Sequence, residues 1–191
     1  MHGIVKEYNN NGVLMFEGEF SKGKKLKGKE YYDNGNLKFD GKYLNGKRNG
    51  KGKEYSQNGI LIFEGEYLNG QKLKGKVKEF NNNNILIFEG EYLNGRKHGN
   101  VKEYFSNGKL KYEGGYLKGE KHGNGKEYHT NGALKFEGEY LNGKRNGKGK
   151  EYSEKGELKY EGEYLKGIKQ NKEKWINNLK ETDYFNSNLT I

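Results

Sequence analysis

The chain has 191 residues, with 36 Lys and Arg against 26 Asp and Glu, a formal charge of +10, and neither Pro nor Cys. The lack of Cys excludes disulfide frameworks, thiolate metal sites and cysteine nucleophiles. Hydrophobic residues make up 30% of the chain, and no stretch approaches the roughly 18 apolar residues of a spanning helix, so we expect a water-soluble protein of unassigned compartment.

A triplet of an aromatic residue, an acidic residue and Gly recurs seven times. The triplets begin at Phe16, Phe39, Phe63, Phe88, Tyr112, Phe136 and Tyr160. Their glycines advance by 23, 24, 25, 24, 24 and 24 residues, and we expect loops to absorb the one-residue slips. Low apolar content with high charge is typical of disorder, but a repeat rich in large rings indicates a folded repeat protein.

Each unit predicts two strands. Residues 134–141 alternate apolar and polar side chains, as in a strand with one covered face, and residues 144–152 follow a short turn. Asn-Gly pairs supply the positive backbone angles that tight turns between antiparallel strands require. They occur at 45–46, 69–70, 94–95 and 142–143, and again at 11–12, 34–35, 58–59, 107–108 and 131–132.

Of the 26 aromatic residues, 21 fall in three columns, which we expect to form the core. The first column is the triplet ring. The second is Phe20, Tyr43, Tyr67, Tyr92, Tyr116, Tyr140 and Tyr164, and the third is Tyr8, Tyr31, Tyr55, Phe80, Tyr104, Tyr128 and Tyr152. The triplet Gly leaves room for a ring from an adjacent strand. Alternation leaves open which face the third column takes.

The opposite face of the first strand is charged. Glu137 and Glu139 share that face, and they can lie across from Lys148 or Lys150 of the second strand as cross-strand pairs.

The unit Phe136-Glu137-Gly138-Glu139-Tyr140-Leu141-Asn142-Gly143-Lys144 resembles the MORN repeat, and in particular the bacterial variant with an Asn-Gly turn. The resemblance covers residues 1–168 in seven copies, with the first hairpin incomplete. It implies an all-β fold in which β-hairpins stack into an elongated, twisted single antiparallel sheet. It also implies a non-enzymatic scaffold for a protein or peptide partner. An antitoxin role, described for some relatives, has no independent support in these residues.

Residues 169–191 are the only non-repeating stretch with apolar side chains, and we expect them to cap the last hairpin. A short helix with Trp175, Ile176 and Leu179 on one side and a degenerate hairpin are both open.

Two kinds of partner surface follow from this arrangement. The resemblance implies an aromatic-lined groove, and a single-layer sheet has little to cover its rings, so second-column tyrosines are candidate contacts. They are Tyr43, Tyr67, Tyr92, Tyr116, Tyr140 and Tyr164. The open sheet edges are a second surface, where a peptide could add a strand or a second copy could associate.

A row of basic residues follows one turn in successive repeats. It consists of Lys24, Lys25, Lys47, Arg48, Lys72, Arg96, Lys97, Lys121, Lys144 and Arg145. In stacked hairpins a positive group would recur about every 10 Å along one sheet edge. Such a row can bind anionic phospholipid headgroups, or it can be a solvated turn row that only aids solubility. We do not favour nucleic acid as the partner.

The sequence does not predict an enzyme. Catalysis needs convergent polar groups, whereas here the polar groups repeat by translation. His98 and His122 are one repeat apart, roughly 10 Å, which is too far for a shared zinc ion. Repeated pairs such as Glu64 and Glu66 lack the asymmetric environment that separates two pKa values. We therefore expect no metal and no cofactor.

Overall fold

The computed structural model describes residues 2–170, which form one antiparallel sheet whose fifteen strands are hydrogen-bonded in chain order. The strands are β1 (His2–Tyr8), β2 (Leu14–Ser21), β3 (Lys24–Tyr31), β4 (Leu37–Leu44), β5 (Lys47–Tyr55), β6 (Leu61–Leu68), β7 (Gln71–Phe80), β8 (Leu86–Leu93), β9 (Arg96–Tyr104), β10 (Leu110–Leu117), β11 (Glu120–Tyr128), β12 (Leu134–Leu141), β13 (Lys144–Tyr152), β14 (Leu158–Leu165) and β15 (Ile168–Lys169). The predicted all-β sheet of stacked hairpins is confirmed. In the described range no helix is long and apolar enough to cross a membrane. The expected C-terminal cap lies outside the described residues from residue 171 onward.

Two kinds of connection alternate along the sheet. Two-residue turns such as Asn142-Gly143, with φ of 49° and 78°, join β12 to β13 and have the type I′ geometry predicted for Asn-Gly. The second set of Asn-Gly pairs lies in five-residue connections, such as 129–133, in which Gly132 has a positive φ but Asn131 does not. The main-chain N–H of His129 donates to the carbonyl of Ala133 at 2.8 Å and closes that connection.

The core is a layer of rings on one face of the sheet, and glycine pairs make room for it. Gly138 of β12 lies opposite Gly149 of β13, and the Phe136 ring lies over this pair. A Cβ atom on Gly149 would lie 2.6 Å from two carbons of Phe136 and 3.3 Å from Tyr164. The main occupant of the space is therefore the ring of the same triplet, two residues earlier, and not the ring of an adjacent strand that the sequence suggested.

Four of the seven triplet rings are flanked by two second-column rings that meet them edge-on. Phe136 is fully buried. Its centroid lies 5.5 Å from that of Tyr140 and 5.3 Å from that of Tyr164 in the next repeat, with interplanar angles of 82° and 89°. Edge-to-face pairs of this kind stabilise by roughly 0.5–1.5 kcal/mol beyond area burial. Phe16, Phe39 and Tyr112 repeat the contact with the following repeat.

The third aromatic column is not part of this core, contrary to expectation. Tyr152 is half-buried, and its hydroxyl donates to Glu137 at 2.9 Å on the charged face. The alternation along β13 puts it on the same side as Lys150, and the register between β13 and β14 shifts between Glu151 and Tyr152. Tyr31, Tyr104 and Tyr128 make the same bond to Glu17, Glu89 and Glu113.

Strand β7 departs from the repeat. Its partners are offset, because Gly75 lies opposite Gly65 on one side whereas Val77 lies opposite Gly90 on the other. The strand has ten residues where β3 has eight, so strands and not loops absorb the one-residue slips. Within residues 2–170, the rings of Phe63 and Phe88 each pack against one other ring, the tyrosine of their own strand. Phe63 meets that tyrosine edge-on, and Phe88 meets it at a tilt.

The close approach of the Phe136 ring to Gly149 predicts that a larger residue at position 149 lowers the free energy of unfolding. Replacing Gly149 by Ala forces its Cβ into the Phe136 ring, so we expect a loss of about 1–3 kcal/mol, the usual cost of overpacking. Urea unfolding followed by circular dichroism measures the loss.

Gly3→Ala is the matched control, because a Cβ at Gly3 would meet nothing within 4 Å. Equal unfolding midpoints for the two variants would contradict the role given to the glycine pair.

Candidate functional site

The candidate second-column tyrosines are mostly core residues. Tyr43, Tyr67, Tyr140 and Tyr164 are only 3–6% exposed, whereas Tyr92 and Tyr116 are half-buried. The Tyr164 hydroxyl donates to Glu151 at 3.1 Å. Burial, together with this bond, raises the pKa of Tyr164 to about 12. The expectation of an exposed aromatic strip is therefore wrong for the four buried rings, because other side chains cover them.

Basic side chains from the turn row provide that cover. The guanidinium carbon of Arg145 lies 4.0 Å from the Phe136 centroid, within the range of a cation–π contact. Its nitrogens donate to Glu127 at 2.8 Å and to Glu151 at 3.0 Å. Arg48 repeats this arrangement over Phe39.

The Arg145 ion pairs are strong enough to offset desolvation. Burial by itself would raise the pKa of Glu127, but hydrogen bonds from Arg145 and Lys121 outweigh it and lower the pKa to about 2. The Arg145 side chain is 18% exposed. It is therefore a structural lid on the ring layer.

The basic row consequently divides into two sets. The ring-covering set lies over the aromatic layer and consists of Lys25, Arg48, Lys72, Lys97, Lys121 and Arg145. The exposed set consists of Lys24, Lys47, Arg96 and Lys144. Only the exposed set offers its cations to a partner without uncovering the core. Fewer than half of the basic residues in the predicted row are therefore available for binding.

The opposite face of the sheet contains a groove of about 1260 Å³ that extends from β6 to β14. Its floor is bare backbone at the glycine pairs, for example Gly125 and Gly138, because these residues have no side chain. Its lining includes Lys126 and Glu137, which lie opposite each other on the neighbouring strands β11 and β12. The groove is thus lined chiefly by charged side chains and glycine backbone, together with two asparagines and a few aliphatic residues such as Leu61 and Val77, and the aromatic core lies behind it.

An alternating ladder of charges runs through this groove. After β7 its members pair across successive strands in the order Lys78, Glu89, Lys102, Glu113, Lys126, Glu137, Lys150 and Glu161. The Nζ of Lys150 lies 3.2 Å from Glu161, and that of Lys126 lies 4.0 Å from Glu137. The expected cross-strand pairing of Glu137 with Lys150 is confirmed. Exposed pairs of this kind contribute little to stability, because solvent screens their attraction.

Half-buried rings of the third column flank one side of the groove. Tyr128 donates its hydroxyl to Glu113 at 2.6 Å, and burial together with this bond raises the pKa of Tyr128 to about 12. The phenol therefore stays protonated at neutral pH. The bond fixes the ring beside the groove wall.

A row of exposed leucines flanks the other side, and the sequence analysis missed it. The leucine row consists of Leu44, Leu68, Leu93, Leu117, Leu141 and Leu165, each 39–54% exposed. Strand alternation was the available signal, since Leu141 follows Glu139 by two residues and must share its face. Leu44, Leu93 and Leu141 lie opposite Lys47, Arg96 and Lys144 of the exposed basic set.

The two sets of basic residues differ in their expected effect on stability. Arg145→Gln leaves Glu127 without its main partner and removes one of the two cations beside Glu151, and we expect a loss of about 1–3 kcal/mol at pH 7. Because the folded pKa of Glu127 lies below the ordinary 4.5, this contribution is complete above pH 4.5. It should fade as the pH falls from 4.5 towards 2.

Lys144→Gln is the control, since it removes the same charge from the adjacent exposed position, and we expect a change within about 0.5 kcal/mol. Urea unfolding of both variants between pH 2 and pH 7 makes the comparison. A similar loss for Lys144→Gln, or a deficit of Arg145→Gln that does not change with pH, would contradict the lid role.

Comparison with known proteins accords with this geometry. The MORN repeat model matches residues 39–60 and 136–157, and the MORN repeat variant model matches 1–22, 26–45, 97–118 and 121–142. These segments together cover more than half of the chain and lie on both sides of β7. No curated protein matches the sequence. With its registered hairpins and these repeated matches, the chain belongs to the MORN repeat family.

Proposed function

We propose that the protein is a non-enzymatic scaffold that binds an extended segment of a protein partner along the groove. The groove carries this proposal, because it is continuous across nine strands from β6 to β14. Eight strand separations give a length of roughly 38 Å. An extended chain of about eleven residues has that length.

The construction of the groove supports the same proposal. Its floor is hydrogen-bonded backbone at the glycine pairs, and its walls are charged side chains already paired across strands. A partner backbone can therefore approach the floor closely without leaving an unpaired buried charge. MORN repeats generally serve as repeat scaffolds linked to membrane or protein binding.

Filling the groove tests this function. The exposed side chains of Asn100 and Asn124 line the groove outside the charge ladder, so the double variant Asn100→Trp/Asn124→Trp blocks it without removing an ion pair of that ladder. A displayed library of random twelve-residue peptides is selected on the parent protein, and selected peptides are then measured by fluorescence anisotropy. We expect the blocked variant to lose affinity by at least about tenfold.

The control is Ser106→Trp/Thr130→Trp, which adds the same two rings at exposed loop positions outside the groove lining. The control should bind like the parent. Selection of no peptide, or equal binding by the blocked variant, would count against a peptide-binding groove.

We propose anionic phospholipid binding as a second candidate function. The leucine row next to Lys47, Arg96 and Lys144 favours it, because interfacial segments combine exposed apolar groups with basic residues. Each basic residue near an anionic surface contributes about 1 kcal/mol. The exposed basic set would contact the headgroups, and the ring-covering set would stay in place over the aromatic layer.

Vesicle co-sedimentation tests the second candidate. We expect binding to phosphatidylserine vesicles but not to phosphatidylcholine vesicles, weakening as salt rises. The triple variant Lys47→Gln/Arg96→Gln/Lys144→Gln should lose most of it.

The matched control is Lys111→Gln/Lys135→Gln/Lys159→Gln, which removes the same charge from exposed, equivalent positions next to the five-residue connections. Equal losses of vesicle binding for the two triple variants would show that binding depends on the net charge and not on the exposed basic set. No binding of the parent at low salt would rule the membrane candidate out.

A further inference from the structure

The groove has a fixed period that a ligand can match. Each repeat adds two strands, and neighbouring strands are separated by about 4.7–4.9 Å, so equivalent groove atoms recur about every 9.4–9.8 Å. From β8 to β14 the equivalent positions are Glu89, Glu113, Glu137 and Glu161, each with a ladder lysine on the neighbouring strand. A segment with the same period would meet the same surroundings at every repeat.

Among regular backbone conformations, polyproline II matches this period best. It has three residues per turn and rises about 3.1 Å per residue, so equivalent positions recur about every 9.3 Å. Over three repeats its accumulated mismatch is about 1 Å. An α-helical heptad spans about 10.5 Å and would be out of register by nearly 3 Å. A β-strand returns to the same face about every 6.6 Å, which does not match.

The groove also supplies the hydrogen-bond donors that this conformation needs. A polyproline II segment has no internal hydrogen bonds, so its carbonyls require outside donors. Lys126 lines the groove with a side chain 50% exposed and holds Glu137 only at 4.0 Å, and an ammonium group has three donors. Lys102 and Lys150 hold the equivalent positions one repeat away on either side.

The rings beside the groove fit the same ligand. Tyr104, Tyr128 and Tyr152 are half-buried, recur once per repeat, and are held by hydroxyl bonds to groove-wall glutamates. Aromatic surfaces are the usual contacts for proline rings in grooves that bind polyproline II. One ring per repeat corresponds to one turn of such a segment.

The charge of the groove argues against a strongly charged ligand. Seven Glu and six Lys line it, so the groove is nearly neutral and does not select a polyanion. We infer that the groove between β8 and β14 binds a proline-rich protein segment in the polyproline II conformation, with every third residue facing the charge ladder. This inference rests on the proposed peptide-binding function and specifies the conformation of the bound segment.

Two labelled twelve-residue peptides test it, one with four Pro-Pro-Ser units and one with four Gly-Gly-Ser units. Both are uncharged and equally long, but only the first is held in polyproline II. Fluorescence anisotropy with the full chain should show the Pro-Pro-Ser peptide binding at least about tenfold more tightly, with little dependence on salt. Equal affinity of the two peptides would overturn the inference.

A pair of variants locates the binding. Lys102→Met/Lys126→Met removes two groove donors and should lower affinity for the Pro-Pro-Ser peptide at least about fivefold. Lys111→Met/Lys135→Met makes the same change outside the groove lining and should leave affinity unchanged. Thermal melts of both variants confirm that the fold is retained, and a loss shared equally by both would contradict the assignment of the groove.

The library selection above separates the two proposals. Library peptides that bind the groove while the Pro-Pro-Ser peptide does not would preserve the proposed function and overturn the polyproline II inference. If neither the library nor the Pro-Pro-Ser peptide yields a binder, both are wrong.

Discussion

The structure depends on an aromatic ring in each repeat that packs against a pair of glycines beneath a cation. A sheet normally buries its apolar face against a second layer of secondary structure, and this sheet has none within the described residues. Phe136 instead rests on Gly138 and Gly149 and is covered by Arg145. Glycine allows the ring to approach the backbone, and the carboxylates that flank the covering guanidinium offset the cost of burying it. Each repeat therefore builds its own second layer.

This arrangement determines which face is open to partners. Because rings and their cations fill one face, the other face keeps the charge ladder and the backbone at the glycines, flanked by third-column tyrosines and the leucine row. The glycine pair thus serves both faces, since it admits Phe136 on one side and leaves a bare floor on the other. A groove follows from the ring packing without any residue dedicated to making it.

The sequence predicted the local features of the fold well. Type I′ turns at Asn142-Gly143 and the pairing of Glu137 with Lys150 follow from turn chemistry and the two-residue period of strands, which are encoded within a few residues. The orientation of the Arg145 side chain could not be predicted from such local signals. It depends on a bulge that contains Gly147, with a φ of 76°, and on Glu127, eighteen residues earlier in the chain. Next to an Asn-Gly turn, such an arginine looks like an ordinary surface residue.

The offset in β7 has a consequence for how the chain holds together as a unit. In a repeat array, stability propagates through contacts between neighbouring repeats. Ring contacts that join one repeat to the next are made by Phe16, Phe39, Tyr112 and Phe136. Phe63 and Phe88, which lie on either side of β7, each contact only the tyrosine ring of their own strand among the described residues. The coupling between repeats is therefore weakest at the centre. The sheet is continuous in hydrogen bonding across β7, but without these ring contacts we expect local opening on one side of β7 to spread less readily to the other.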